Sequence, residues 1–254
     1  MNRPYAGART QKDLPQGDAP LQLYSLGTPN GIKVTVALEE MKLDYDAHTI
    51  QIKELDQFTT GFTDICPNGK IPAMLDKDGP DGEPIRVFES GSILLYLAEK
   101  TGQFIPPRGT ADRTECLNWL FFQMGGIGPF FGQFGHFYKY AAEKLPYPIE
   151  RYSMETKRLL DVLDQQLEGK QYIIGDEYTI ADMAIFPWVL CLDVGYKAKE
   201  YLAKAFGRND EYANVEAWME RCLARPAVQA GMKVNHLTEK SCFGEDKGPA
   251  IERE

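Results

Sequence analysis

Cysteine and histidine are scarce in this chain, and their placement excludes more than their number does. Cys66, Cys116, Cys191, Cys222 and Cys242 contain no C-x-x-C pair and no metal-ligand spacing, which argues against a disulfide framework. His48, His136 and His236 are widely scattered, so spacing marks neither a zinc site nor a Cys–His nucleophile. Long apolar runs are missing too. None reaches 18 residues, and Met1 to Thr10 lacks the apolar core of a signal peptide, so the expectation is a cytoplasmic protein with no membrane partner. Positive charge is in deficit, with 28 Lys and Arg against 37 Asp and Glu and a net charge of -9. Nucleic-acid binders usually carry a basic face, so no nucleic acid is expected as partner. A local basic pocket for a small anion stays compatible with this balance.

What is present is an ordinary globular composition, long enough for one large domain or two small ones. Residues 1–20 are rich in Pro, Gly and charge and read as an extended N-terminal arm. Leu21 to Leu26 form a short, mostly apolar run. Val34, Ala37, Leu38 and Met41 then recur at the spacing of one helical face, so a strand gives way to a helix near residue 28. Tyr45–Ile52 alternates in part and suggests a second strand, parallel to the first because a helix connects them. Residues 53–70 read as irregular or briefly helical. Ile71–Leu75 and Ile85–Phe88 flank a turn-rich stretch and read as a hairpin. Glu89–Gly102 follows as a helix with Ser90 as candidate N-cap and Gly102 as its stop. The order β-α-β-(α)-β-β-α is that of a thioredoxin-like domain, assigned to residues 21–105.

After the Pro/Gly linker at 103–111 the pattern is helical throughout, so an all-α C-terminal domain is assigned to residues 112–236. The fold class is therefore α/β plus all-α, with a polar tail at 237–254. Trp119 to Tyr140 is aromatic and glycine-rich, which suits a core or subunit interface better than the wall of an apolar pocket. Met154, Leu160, Leu163 and Leu167 form a helical stripe within Arg151–Glu168. Thr179 and Asp182 are spaced like a capping box and read as helix-nucleating, with no direct role in chemistry.

Four pieces of the first domain can carry chemistry. Thr28 is a good N-cap, Pro29 suits the first helical position, and Asn30 follows with a side chain that can donate or accept. On these residues alone the turn is either an ordinary capped helix or an anion-stabilising helix start that holds a thiolate the protein itself does not supply. The Ile71–Pro72 bond, at the head of a strand, is a natural place for a cis peptide. Such a bond leaves the Ile71 backbone groups free to pair with an extended, peptide-like ligand. Glu89 and Ser90 offer a carboxylate for an α-amino group, with a hydroxyl and free N–H donors for an α-carboxylate. Together they describe a receptor for a zwitterionic amino-acid end on a peptide-like stem. Cys66 lies four residues before Lys70 and reads first as a small buried residue.

Thr28-Pro-Asn-Gly31, Asp56-Gln-Phe58, Pro67-Asn-Gly-Lys-Ile-Pro-Ala73, Phe88 to Lys100 and Tyr178-Thr-Ile-Ala-Asp182, in that order, resemble the glutathione transferases over nearly the whole chain. The match is closer than superfamily level, and the blocks look like the nu-class group of bacterial glutathione-dependent disulfide-bond oxidoreductases and related fungal glutathione transferases. The resemblance implies the glutathione transferase fold and a homodimer. It also implies that two reduced glutathione molecules, or one oxidised, bind in each site, with no metal. Glu89 and Ser90 match the pair that holds the γ-glutamyl end, Ile71 the backbone contact to the cysteinyl part, and Gln57 a polar contact. Lys70 and Pro72 stand in the same motif as Ile71. Thr28 and Asn30 match the residues beside the sulfur, which makes them the candidate catalytic pair. Asn2 and Arg151 match further contacts, to the second glutathione or across a dimer.

The implied activity is reduction of small-molecule disulfides by the thiols of bound glutathione, with peroxidase or conjugating activity on small electrophiles at its side. A thiol of pKa ~8.5 is mostly neutral at pH 7, and a helix N-terminus with hydroxyl or amide donors favours its thiolate. Two such thiols can exchange with a disulfide with no protein sulfur involved. The alternative is a non-catalytic glutathione-binding regulatory protein on the same fold. A conventional conjugating transferase fits less well, because no Tyr, Ser or Cys occupies the Thr28–Asn30 turn; Tyr24 and Ser25 sit earlier, on the strand.

Overall fold

A computed structural model describes residues 3–204 and 212–235. The chain divides into two units. Residues 3–101 with 230–235 form the first, and the described residues from 102 to 229 form the second.

The first unit is built on four strands. β1 (Leu21–Ser25) is followed by α1 (Pro29–Glu40), β2 (Tyr45–Thr49), a 3₁₀ turn at Asp56–Phe58, α2 (Thr60–Ile65), β3 (Ala73–Asp76), β4 (Ile85–Phe88) and α3 (Ser90–Thr101). The spatial order is β2-β1-β3-β4. β1 and β2 run parallel, as a helical crossover requires, and β3 and β4 close an antiparallel hairpin. The expected βαβ unit and hairpin are both present. β1 is buried along its whole length, as a central strand covered on both faces should be.

α1 is buried on more than the face its periodicity marks: Ile32, Lys33, Thr35 and Val36 are enclosed together with Val34, Ala37 and Leu38. Part of that cover comes from an unexpected source. Residues 230–235, which the sequence pattern assigns to the helical domain, group with the sheet unit instead. The Thr35 hydroxyl donates to the Gly231 carbonyl at 2.7 Å, and Gly231 lies so close that a Cβ there would stand 2.7 Å from the Val36 backbone. Only a residue without a side chain allows that approach. The N-terminal arm is also tied down, since Thr10 bridges Thr59 in parallel fashion and the Tyr24 hydroxyl donates to the Pro15 carbonyl.

The second unit contains α4 (Ala111–Phe122), α5 (Gly128–Gly135), α6 (Pro146–Leu167), α7 (Ile180–Leu190), α8 (Lys199–Lys204), α9 (Ala213–Leu223) and the start of α10 (Pro226–Gly231), with π-helical turns at Gln123–Ile127, His136–Tyr140 and Cys191–Gly195. No described strand occurs in it. On α6, Leu160, Leu163 and Leu167 are buried as the stripe predicts, but Met154 is half exposed. The stripe turns outward there. In the aromatic segment Trp119, Phe131 and Phe134 are buried while Phe121 and Tyr140 stand exposed.

The capping box at the head of α7 forms as expected. Asp182 is fully buried and accepts from the Thr179 amide and hydroxyl, the Ile173 amide and the Trp218 indole N–H. Burial pushes its carboxyl above the ordinary carboxylate range even against those four donors. Its work is structural. Among the described residues no helix is long and apolar enough to cross a membrane.

Candidate active site

Strand register decides which loops meet. Tyr24 pairs with Ala73, Ala73 with Phe88, and Ser25 with Thr49. The end of β1, the start of β3, the end of β4 and the end of β2 therefore lie along one edge of the sheet. The Thr28–Asn30 turn, Ile71–Pro72, Glu89–Ser90 and the Gln57 segment all leave from that edge, although the sequence spreads them over sixty residues.

The Thr28 turn is held tightly. Thr28 is extended (φ -109°), its hydroxyl accepts from the Gly31 amide at 3.2 Å, and its own N–H donates back to Leu26 at 2.6 Å. Pro29 contributes no N–H, which costs nothing at the first helical position. Gly31 allows the sharp entry, because a Cβ there would lie 2.0 Å from the Leu26 carbonyl oxygen and 2.6 Å from the Ser25 hydroxyl. The Thr28 oxygen is an acceptor in the cap, and no described residue takes its proton. That proton can be given to an anion beside the helix start.

The two strand residues able to stand in for a cysteine have their hydroxyls directed elsewhere. Tyr24 is wholly buried, donates to Pro15, and its phenol is pushed up to about 12, first by burial and then by the Asp46 charge. With its proton already given to the Pro15 carbonyl, that hydroxyl has none to offer a thiolate. Ser25 is likewise buried and directed at the Leu26 carbonyl, 3.4 Å away.

Glu89 and Ser90 begin α3, with one correction to the sequence reading. Ser90 is the first helical residue and not the cap. The preceding Glu89, at φ +69°, occupies the cap position and its carbonyl accepts from the Ile93 amide at 2.9 Å. A left-handed backbone costs a non-glycine residue roughly 1–2 kcal/mol, and such costs collect at sites where a side chain must be aimed. The Glu89 carboxylate is exposed and accepts from the Asn68 amide nitrogen at 3.3 Å. Ser90 is buried, and its hydroxyl accepts from the Lys33 ammonium at 3.1 Å.

Lys33 is the residue that sequence reasoning missed. It is fully buried; desolvation pulls its ammonium well below the usual lysine range, while the Glu89 charge works in the opposite direction. A single charged residue inside the apolar run from Gly31 to Leu38 was the available signal.

Gln57 sits in the 3₁₀ turn with its Nε2 donating to Ile52 at 3.3 Å. Its Oε1 is buried without a partner among the described residues. The arm holds this turn in place: the Arg9 amide donates to Phe58, the Arg9 guanidinium lies 3.6 Å over the Phe58 ring, and Lys12 pairs with Asp56 at 2.7 Å. The same ring packs against Gly69, where a Cβ would come within 2.9 Å of it.

Ile71–Pro72 is cis. Ile71 is half-buried, and its amide and carbonyl take part in no backbone hydrogen bond among the described residues. Lys70 is exposed beside it. Cys66 is 1% exposed in a cluster with Tyr24, Ile50, Phe62 and Ala73, the small buried residue that was expected. Arg151 is an exposed residue of α6 in the helical unit, where its charge helps hold Glu155 below the ordinary range, after the larger effect of the Arg158 hydrogen bond. Asn2 lies outside the described residues. His48 is 2.8 Å from the Gln22 amide oxygen and stacked on Tyr24, and no described group of three His, Cys, Asp or Glu can hold a metal ion.

This edge of the sheet thus offers a helix start with a hydroxyl proton, an unpaired Ile71 amide and carbonyl, an unmet buried acceptor on Gln57, and a carboxylate beside a buried serine. These groups fit an extended peptide with a zwitterionic end. Comparison with known proteins points the same way. Residues 28–100 match the family model of the glutathione S-transferase N-terminal domain, and residues 117–226 that of the C-terminal domain. The disulfide-bond oxidoreductase YghU of Escherichia coli (strain K12) is 52% identical over 244 residues, covering 92% of this chain and 82% of the relative. A glutathione transferase from Burkholderia graminis, solved with two glutathione molecules bound per subunit, is 49% identical with a TM-score of 0.80, covering 85% of this chain and 88% of that one. One from Pseudomonas putida, solved with one glutathione disulfide per subunit, is 47% identical with a TM-score of 0.80 and covers 85% and 92%.

Proposed function

The chain belongs to the glutathione S-transferase family, and we propose that within it this protein is a glutathione-dependent disulfide reductase whose reacting sulfurs are all supplied from outside the polypeptide. The observation that carries this is the Thr28 turn: a helix start with a donor hydroxyl, no cysteine, and behind it a buried Tyr24 whose hydroxyl is committed to Pro15. Two glutathione thiols give up two electrons and two protons to one small disulfide, yielding glutathione disulfide and two product thiols.

The chain's own part is binding and charge stabilisation. Glu89 receives the α-amino group and Ser90, backed by Lys33, the α-carboxylate. The Ile71 amide and carbonyl pair with the peptide stem, Gln57 Oε1 accepts one of its N–H groups, and Lys70 adds positive charge at the rim. Thr28 and Asn30 stand at the sulfur, where hydroxyl and amide donors on a helix N-terminus favour the thiolate. Asn2 and Arg151 are assigned to the second glutathione or to a subunit boundary. The nu-class placement follows from the motif set.

A homodimer is the proposed assembly, supported by Phe121 on α4 and by Tyr147 and Met154 on α6, all large apolar side chains left exposed. The four described cysteines are buried free thiols, as suits a reducing cytoplasm. Peroxidase or conjugating turnover on small electrophiles belongs to the same site chemistry, because one thiolate serves all three. The non-catalytic alternative is disfavoured by the 52% identity to a relative named as an oxidoreductase.

The test is reduction of a small glutathione mixed disulfide by a variant in which all five cysteines are replaced by Ala or Val. Circular dichroism checks its fold. Activity near that of the native protein is expected, and a well-folded, inactive variant overturns the claim that glutathione supplies the sulfur.

A further inference from the structure

Asn235 lies far from the candidate site in sequence but is joined to it in space. Its carbonyl accepts from the Gly27 amide at 2.9 Å, one residue before Thr28, and its Nδ2 donates to the Thr49 hydroxyl at 2.9 Å. Thr49 ends β2 directly across from Ser25, which ends β1. One residue therefore ties together the two chain segments that leave the sheet beside the helix start. The segment it belongs to is anchored further along α1 by the bond between Thr35 and Gly231, 2.7 Å long.

Asn235 carries two locally unfavourable features. Its backbone is left-handed (φ +53°), and its Oδ1 is buried without a partner among the described residues. Asparagine tolerates that backbone better than most residues. Features of this kind persist where the surroundings require one particular geometry. The geometry required here is that of the Gly27–Thr28 joint, which belongs neither to the β1 ladder nor to the helix and is bent back by the Thr28 to Leu26 bond.

We infer that Asn235 is a positioning residue for the Thr28 turn, bracing Gly27 and Thr49 so that the α1 N-terminus stands where it stabilises a bound thiolate. The inference rests on the glutathione reading above. It separates two jobs within the site: Glu89, Ser90 and Ile71 hold the ligand, and the brace sets the ionisation of its sulfur.

The experiment compares Asn235→Gly, which keeps the left-handed backbone and the carbonyl but deletes the side-chain amide, with Thr49→Val, which deletes the same bond from the other side. Thr35→Val is the control, removing a bond of the same segment further along α1. The ionisation of bound glutathione is followed by the ultraviolet absorbance of its thiolate against pH, together with kcat, KM for glutathione and Tm. Asn235→Gly and Thr49→Val are each expected to raise the apparent pKa of the bound thiol by about one pH unit, and so to lower turnover at pH 7 by up to about tenfold. KM should stay within about twofold, and the double variant should be no worse than either single one. Thr35→Val should lower Tm and leave the thiol pKa in place. An Asn235→Gly protein with lowered Tm and an unmoved pH profile overturns the brace, as does a Thr35→Val protein with an equal pKa shift. If the wild-type protein with glutathione shows no thiolate signal, it is the glutathione reading that fails, and the brace falls with it.

Discussion

Replacing Gly31 by alanine sets two effects of opposite sign against each other at the centre of the site. Alanine is the better helix former by about 1 kcal/mol, so propensity alone predicts a more stable α1. The added Cβ, however, would stand 2.0 Å from the Leu26 carbonyl oxygen, where ordinary contact begins at 3.4 Å. The joint must open by more than an ångström. That oxygen is backbone at the end of a buried strand and cannot swing away, and the Ser25 hydroxyl at 2.6 Å blocks the alternative direction. Overpacking of this kind costs typically ~1–3 kcal/mol and the rigid partner places it at the upper end, so the clash outweighs the propensity. For a chain of this size that corresponds to a fall in Tm of roughly 2–8 °C. The effect on turnover should be larger in proportion, since a displacement of about 1 Å at a reacting group can cost ~100-fold. Thermal denaturation followed by circular dichroism and steady-state reduction of a glutathione mixed disulfide measure the two quantities. A Gly31→Ala protein with raised Tm and unchanged kcat would refute the close approach and the role given to the turn.

Asn30→Ala should lower kcat by ~10- to 100-fold with KM for glutathione nearly unchanged, because a donor to a developing charge acts mainly on the chemical step; a pure rise in KM contradicts its place at the sulfur. Lys33→Met should raise KM for glutathione severalfold, as Ser90 loses the donor behind it. It should also flatten the pH dependence of stability. The Lys33 ammonium is depressed in the folded protein, so the unfolded chain binds more protons, and wild-type stability should rise with pH up to the free lysine value near 10.4. Chemical denaturation of both proteins between pH 7 and 10 checks the difference in slope, and equal slopes count against a Lys33 that gives up its proton on burial. Tyr24→Phe should lose about 1 kcal/mol with the Pro15 bond and leave turnover near pH 7 intact. Above pH 10 the native protein should lose stability, since its phenol holds its proton to about 12 while the unfolded one releases it near 10. A large loss of turnover in Tyr24→Phe would restore the phenol as the activating group.

Much of this molecule is legible in order along the chain. The βαβ unit, the hairpin, the helix that stops at Gly102 and the Thr179–Asp182 box rest on short-range signals, namely the period of apolar residues, turn chemistry and caps, and each formed, although β2 stops at Thr49 and not Ile52, and the first hairpin strand runs over Ala73–Asp76 and not Ile71–Leu75. The orientation within each strand pair follows from the same local pattern, because a helical crossover makes β1 and β2 parallel and a hairpin loop makes β3 and β4 antiparallel, whereas the β1–β3 pairing that gathers Thr28, Ile71 and Glu89 is a long-range contact. Local signals misled by one position at Ser90, where a good capping residue turned out to be helical and the glutamate before it took the cap. They misled again at Met154, which has the right period and the wrong side.

Residues within a turn or two of one another set the helices, the strands and the cysteine-free Thr28–Asn30 turn, and the ordered motifs from Thr28 to Asp182 carry the likeness to the glutathione transferases. Tertiary structure alone decided the rest. Lys33 behind Ser90 joins residues 57 positions apart, the arm at Arg9 clamps the Gln57 turn through Phe58, and residues 230–235 leave the helical unit to brace α1 and the Thr28 joint. The physical reason is the same in all three. A buried polar group must find its partner wherever packing brings one, and no periodicity or cap in the chain records which distant segment that will be.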